Sequence, residues 1–118
     1  MNTKELLSRY AAGQRDFRNL NLIAANLRNM NLSGINLSGA NLTKANLTRT
    51  NLSHANLTDA VLVEANFAET NFTQANLTNV NLGETNLSQA HLQGTTMPNG
   101  MKSTTHSHQL QATLTRKA

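Results

Sequence analysis

His54, His91, His106 and His108 are the first residues to weigh for chemistry, because imidazole both binds metals and carries protons near neutral pH. They do not converge. His106-Ser107-His108 could hold a metal weakly, but a stable site needs further ligands, and the chain has no cysteine. The lack of thiols also removes disulfides and cysteine nucleophiles. Gly34 and Gly39 have the glycine spacing that opens a phosphate-binding loop. Ala40-Asn41 follow where Lys and then Ser or Thr are required, so the phosphate reading fails. Nine Asn-x-Ser/Thr triplets, such as Asn31-Leu32-Ser33, look like glycosylation acceptors, yet they are by-products of a periodic sequence. The sequence therefore predicts no catalytic residue, no metal site and no cofactor.

The elements that would have to position any site are equally unusual. Aromatic residues make up 3% of the 118 and Trp is absent, so small aliphatics must form the core. No apolar run approaches the ~20 residues of a membrane span, and Met1-Asn2-Thr3-Lys4-Glu5 lacks the apolar stretch of a secretory signal, so a cytoplasmic protein is expected. The formal charge is +4, but residues 15–94 carry five basic and five acidic groups and are neutral. Within that span, residues 15–54 are net +4 and residues 55–94 net −4. No basic cluster marks the body as a nucleic-acid surface.

Leu or Phe recurs every fifth residue from Phe17 to Leu92, sixteen times without a break. A small residue usually stands two positions earlier, eight times Ala and three times Thr. Asn directly precedes the Leu in thirteen units and Ser or Thr follows it in nine. On an α-helix five residues turn about 500°, which scatters the leucines around the axis. On a flat strand an odd step exposes half of them. A quarter turn per repeat buries all of them. Four repeats then close a 20-residue coil, and sixteen repeats stack four coils over residues 15–94, roughly 19 Å tall at the usual strand spacing. Asn, Ser/Thr and the variable fifth residue face outward. Asp59 and Glu64 then point from different walls and form no acid–base pair. The register sets Lys44 beside Glu64 and Arg49 beside Glu69.

These Ala-Asn-Leu-x-x units resemble the pentapeptide-repeat family, with the match covering residues 15–94. The segment Glu5 to Gly13 followed by Arg15-Asp16-Phe17 is similar to the leading segment of bacterial, especially cyanobacterial, members, and Thr95-Thr96-Met97-Pro98-Asn99-Gly100 to their usual exit. The resemblance implies an all-β solenoid, a right-handed quadrilateral β-helix, whose members mostly act through protein contacts. Three units follow: a capping helix in 1–14, the β-helix in 15–100 and a polar, basic tail in 101–118 that is disordered or weakly helical. Thr3 or Asn2 can N-cap the helix, Leu6, Leu7 and Tyr10 share the face that caps the first coil, and Gly13 suits its C-terminal end.

Departures from the repeat are the places to expect a partner. Val61 and Val63 replace outward Asn and Ser/Thr, and the register puts them on the wall of Ile23 and Thr43. These four residues form a candidate partner patch on a non-catalytic protein-interaction scaffold, either a monomer or a dimer through its last coil. One branch of the family resembles DNA in shape and negative charge and binds type II topoisomerases; the neutral repeat body here argues against that mode. Nucleic-acid contact through the basic C-terminal tail is a further alternative.

Overall fold

The computed structural model describes residues 1–83, 85 and 87–103. It opens with α1 (Thr3–Ala11), and the rest of the described chain winds into a solenoid without long strands. Parallel bridges join residues twenty apart: Asp16 to Asn36, Asn21 to Asn41, Asn26 to Asn46, Asn31 to Asn51, and onward to Asn76 with Thr96. Each circuit therefore closes after twenty residues, in four five-residue sides. The central leucines are fully buried, with Leu37, Leu57 and Leu77 stacked in one column and Leu32, Leu52 and Phe72 in another. Phe67 and Phe72, on adjacent sides of the third coil, meet edge to face with centroids 5.7 Å apart.

Each corner is a tight turn in which the residue three after the Leu donates its N–H back to the Leu carbonyl, as Ala45 does to Leu42 at 2.9 Å. The residue two after the Leu lies at positive φ, between 55° and 64° at eleven non-glycine positions that include Lys44, His54 and Glu64. That left-handed geometry costs an ordinary side chain about 1–2 kcal/mol. Lys44→Gly should raise stability by about 0.5–1 kcal/mol, because relief of the turn exceeds the extra freedom that glycine gives the unfolded chain. A higher urea midpoint at unchanged slope checks this; no gain would mean the neighbouring coils already relieve the turn.

The repeat runs one unit further than its leucines. Thr95 is fully buried and Met97 nearly so, in the slots of the small residue and the Leu. The chain then reverses. Gly100 N–H bonds Met97 O and Met97 N–H bonds Met101 O, both at 2.7 Å, which makes a three-residue hairpin loop with Gly100 at φ 87°. Lys102 pairs antiparallel with Thr96, and Ser103 exchanges bonds with Gly94 and Thr95. Residues 101–103 thus belong to the fold, a correction to the expected tail at 101–118; the remainder of that tail, with His106 and His108, lies outside the described residues.

The fourth coil departs from the regular turn. Gly83 has positive φ one position early, and Glu69 N–H bonds Gln89 O, a step of twenty, where Asn19 bonds Ser38 O, a step of nineteen. Leu82 is correspondingly only partly buried.

Candidate functional site

Outward asparagines dominate the surface, and the structure gives them work inside the chain. In twelve repeats the Asn Oδ1 accepts the N–H two residues on, from Asn21 with Ile23 to Asn81 with Gly83, at 2.9–3.3 Å. This Asx turn holds the corner in shape. Thr43 also turns its hydroxyl onto Asn41 Oδ1 at 2.6 Å, so the hydroxyl and the amide oxygen are both engaged locally. The buried threonines face the other way: Thr50 Oγ1 donates to Leu27 O and Thr70 Oγ1 to Leu47 O, each at 2.6 Å, stapling one coil to the one before it.

Val61 breaks the asparagine ladder between Asn41 and Asn81. It has no acceptor to offer the Val63 N–H, the group that the other twelve repeats satisfy. Val61→Asn should therefore stabilise the protein by about 0.5–1.5 kcal/mol, read as a rise in the thermal midpoint. A fall would show that the valine methyls contribute more packing than the Asx bond contributes polarity.

The candidate patch does not gather into one surface. Ile23, Thr43 and Val63 stack at twenty-residue steps, so Thr43 separates the two aliphatics. Ile23 is 49% exposed, whereas Val61, Val63 and Thr43 are half-buried. Lys44 and Glu64 occupy adjacent coils without forming an ion pair among the described residues, which corrects the expected contact; Glu64 instead donates its backbone N–H to Thr85 Oγ1 at 3.2 Å. Arg49 does approach Glu69, at 3.8 Å, and its Nε bonds Asn29 Oδ1 at 2.9 Å. Both charges of that pair are more than half exposed, so it contributes little to stability.

The remaining residues with chemical potential are placed by the turns. Gly34 and Gly39 sit in the positive-φ slot, which accounts for their phosphate-loop spacing. A Cβ on Gly39 would overlap the Asn19 side chain one coil earlier. His54 is exposed in the same slot, and His91 fills an Asn slot, pairing with Asn71. Among the described residues no group of three His, Cys, Asp or Glu could hold a metal ion. No helix of the described residues is long and apolar enough to cross a membrane.

At the leading end, α1 is anchored by Leu6, which is fully buried, while Leu7 and Tyr10 pack partly against the core. Asn2 Oδ1 accepts the Glu5 N–H at 2.8 Å and so serves as the N-cap. At the other terminus Gln14 N–H bonds Arg9 O and Gly13 N–H bonds Tyr10 O, the paired bonds of a Schellman motif. The Tyr10 hydroxyl donates to Ser33 O at 2.6 Å, and the Arg15 guanidinium lies 3.7 Å above the Tyr10 ring. Side-chain bonding from Arg18 holds the Asp16 carboxyl below its ordinary pKa. The tyrosine contact is invisible to local pattern because it spans 23 residues.

Four-sided circuits closing every twenty residues, stacked in parallel with apolar side chains inside, define a β-solenoid of the repeat-protein class. A family model for pentapeptide repeats matches residues 21–59 and 55–97, with eight copies. The chain belongs to the pentapeptide-repeat family. It is 28% identical to a pentapeptide repeat protein of the Arabidopsis thaliana thylakoid lumen, with a TM-score of 0.60 over 81% of this chain and 61% of that one. It is 38% identical to a pentapeptide repeat protein of Nostoc, over 81% of this chain and 75% of that one, with a TM-score of 0.43. It is also 33% identical, over 80% of its length, to HetL, a pentapeptide repeat protein involved in heterocyst differentiation regulation in Nostoc; the TM-score is 0.43. This chain spans 42% of HetL and 61% of the Arabidopsis protein. No curated protein sequence matches.

Proposed function

We propose that the chain is a right-handed quadrilateral β-helix acting as a non-catalytic scaffold that binds another protein through one flat wall. The observation that carries this reading is the fate of the outward polar groups. Asn41 Oδ1 is taken by the Thr43 backbone and hydroxyl, and the same pattern repeats at Asn46, Asn56 and Asn76. Asn and Thr oxygens spent on their own turns leave shape, a few aliphatics and the scattered charged residues as the means of recognition. Val61 and Val63 interrupt that pattern on one wall, which makes the wall the place to test.

Affinity capture from cell extract is the experiment. The reading expects one protein retained reproducibly by the immobilised chain and lost with Val61→Asn, a substitution that restores the repeat and preserves the fold. Retention unchanged by Val61→Asn would remove the valine wall; retention of nothing above a blank column would overturn the scaffold reading. A cytoplasmic, bacterial setting is part of the proposal, and cell fractionation tests it.

A further inference from the structure

Within the stack, the described coil edges are satisfied by the next coil. Asn41 N–H bonds Leu20 O, Leu22 N–H bonds Asn41 O, and Ala24 N–H bonds Thr43 O. The first coil has no coil before it, so the matching groups of its own residues point off the end. On two sides the leading segment reaches over that end, although the Asn31 N–H and C=O stay unpaired there among the described residues: the Tyr10 hydroxyl donates to the Ser33 carbonyl, the Gln14 side chain donates to the Asp16 carbonyl, and Met1 and Arg9 stand over residues 16–20 across an open cleft. On the other two sides nothing among the described residues pairs with the N–H or C=O of Asn21 and Asn26, or with the C=O of Ile23 and Arg28. Leu20, Ala25 and Met30 are only partly buried there, and Ile23 is half exposed.

We propose that this open leading edge, along residues 20–24 and 25–29, is where an extended, acidic segment of a partner protein docks by backbone pairing. The inference rests on the interaction-scaffold reading and adds a second contact at the end of the solenoid, apart from the valine wall. An edge of alternating N–H and C=O groups is complementary to another backbone strand. The chain supplies its own precedent at the opposite end, where Lys102 and Ser103 lie antiparallel against residues 94–96 and close that edge with bonds of 2.7 and 2.8 Å. The Asx bonds of Asn21 and Asn26 hold the open edge in a fixed shape before anything binds.

Charge selects the occupant. Glu5 is paired with Arg9 and Asp16 with Arg18, at 2.6 and 2.9 Å, and Arg15 is engaged over Tyr10. Lys4 and Arg28 are left exposed without an ion pair, Arg28 on the open side itself, with Lys44 one coil below Ala24. An acidic strand is attracted to that edge. A second copy meeting it head to head brings like charge to like and is repelled.

The test titrates the isotopically labelled full chain with the blocked peptide acetyl-Glu-Val-Thr-Val-Glu-amide at low salt, following backbone amide signals. The Asn21 and Asn26 amides should shift and saturate. The lysine counterpart, acetyl-Lys-Val-Thr-Val-Lys-amide, should bind about tenfold more weakly, and Arg28→Glu, which alters an exposed side chain, should erase that preference. Equal binding of the two peptides, shifts confined to other walls, or no shift at those amides would overturn the docking edge. The scaffold reading stands or falls separately: if capture from extract succeeds and is lost in Val61→Asn while the peptides fail, the edge is refuted and the wall retained.

Discussion

Leu57→Ala is expected to cost about 2–5 kcal/mol, a large loss for one truncation in a protein of this size. Leu57 is fully buried in the middle of a column, with Leu37 and Leu77 one coil away on either side. The neighbouring coils are pinned by bonds such as Leu57 N–H to Asn76 O and Leu37 N–H to Asn56 O, both 2.8 Å, so the walls cannot collapse into the hole. A cavity that stays open adds its own cost to the lost transfer energy of the methyl groups. Leu22→Ala should cost less. It removes the same atoms from the first coil, beside the open edge, where Leu20 and Ala25 have room to shift. Urea unfolding of both variants measures the difference. Equal losses at the two positions would mean that the first coil is as tightly held as the centre. A loss under 1 kcal/mol at Leu57 would mean that the column is not close-packed.

The second large effect is expected at the cap. Leu6→Asp places a carboxylate where a fully buried side chain closes the end of the core, and burial of an unpaired charge is resisted by several kcal/mol. Detachment of α1 relieves it at the expense of every contact the helix makes. Tyr10 then loses its bond to Ser33 O and its stacking under Arg15. Because Tyr10 is the sole tyrosine and Trp is absent, its fluorescence reports α1 docking directly. The expected result is a solvent-exposed tyrosine signal, a thermal midpoint lowered by at least 10 °C for about 3 kcal/mol lost, and concentration-dependent association through the newly bare edge. Lys4→Asp, on the exposed face of the same helix, serves as the control and should leave all three unchanged. Normal tyrosine fluorescence in Leu6→Asp would show that α1 is held by Tyr10 and Leu7 instead.

The architecture was legible because its cause is periodic. A Leu or Phe at every fifth position has one low-energy arrangement, and the twenty-residue bridges from Asp16–Asn36 to Asn76–Thr96 are that arrangement. The capping helix was equally legible, since Leu6, Leu7 and Tyr10 share one face and Asn2 and Gly13 are ordinary helix-end residues. The asparagines were read as mere outward polar groups. Asn two residues ahead of a corner is an Asx-turn signature, but a solvent-facing position is by itself a sufficient reason for a polar side chain, so periodicity alone does not separate the two roles. The β-helix was expected to end at residue 100; residues 101–103 extend it because the turn at Pro98-Asn99-Gly100 sends the chain back antiparallel onto 94–96, a pairing that no repeat pattern marks.

Other features had no local signal. The corner residue at positive φ is Lys, Arg, His, Asp, Glu or Gln at seven positions and Gly at three, so residue type does not reveal the left-handed backbone that stacking imposes. The register put Lys44 by Glu64 and Arg49 by Glu69 on equal terms, yet only the second pair approaches. Long exposed side chains gain too little from pairing for register alone to settle their rotamers.

For this protein, the order of residues was enough to specify the coil, its circumference and what lies inside, because burying one apolar group per five residues leaves the backbone a single way to turn. Which backbone groups at the two ends find partners was decided in three dimensions. Tyr10 reaches Ser33, and residues 102–103 fold back on 94–96, whereas Asn21 and Asn26 are left facing outward. That outcome depends on where a short helix and a hairpin come to rest across the coils, a matter of fit between distant segments that no five-residue pattern encodes.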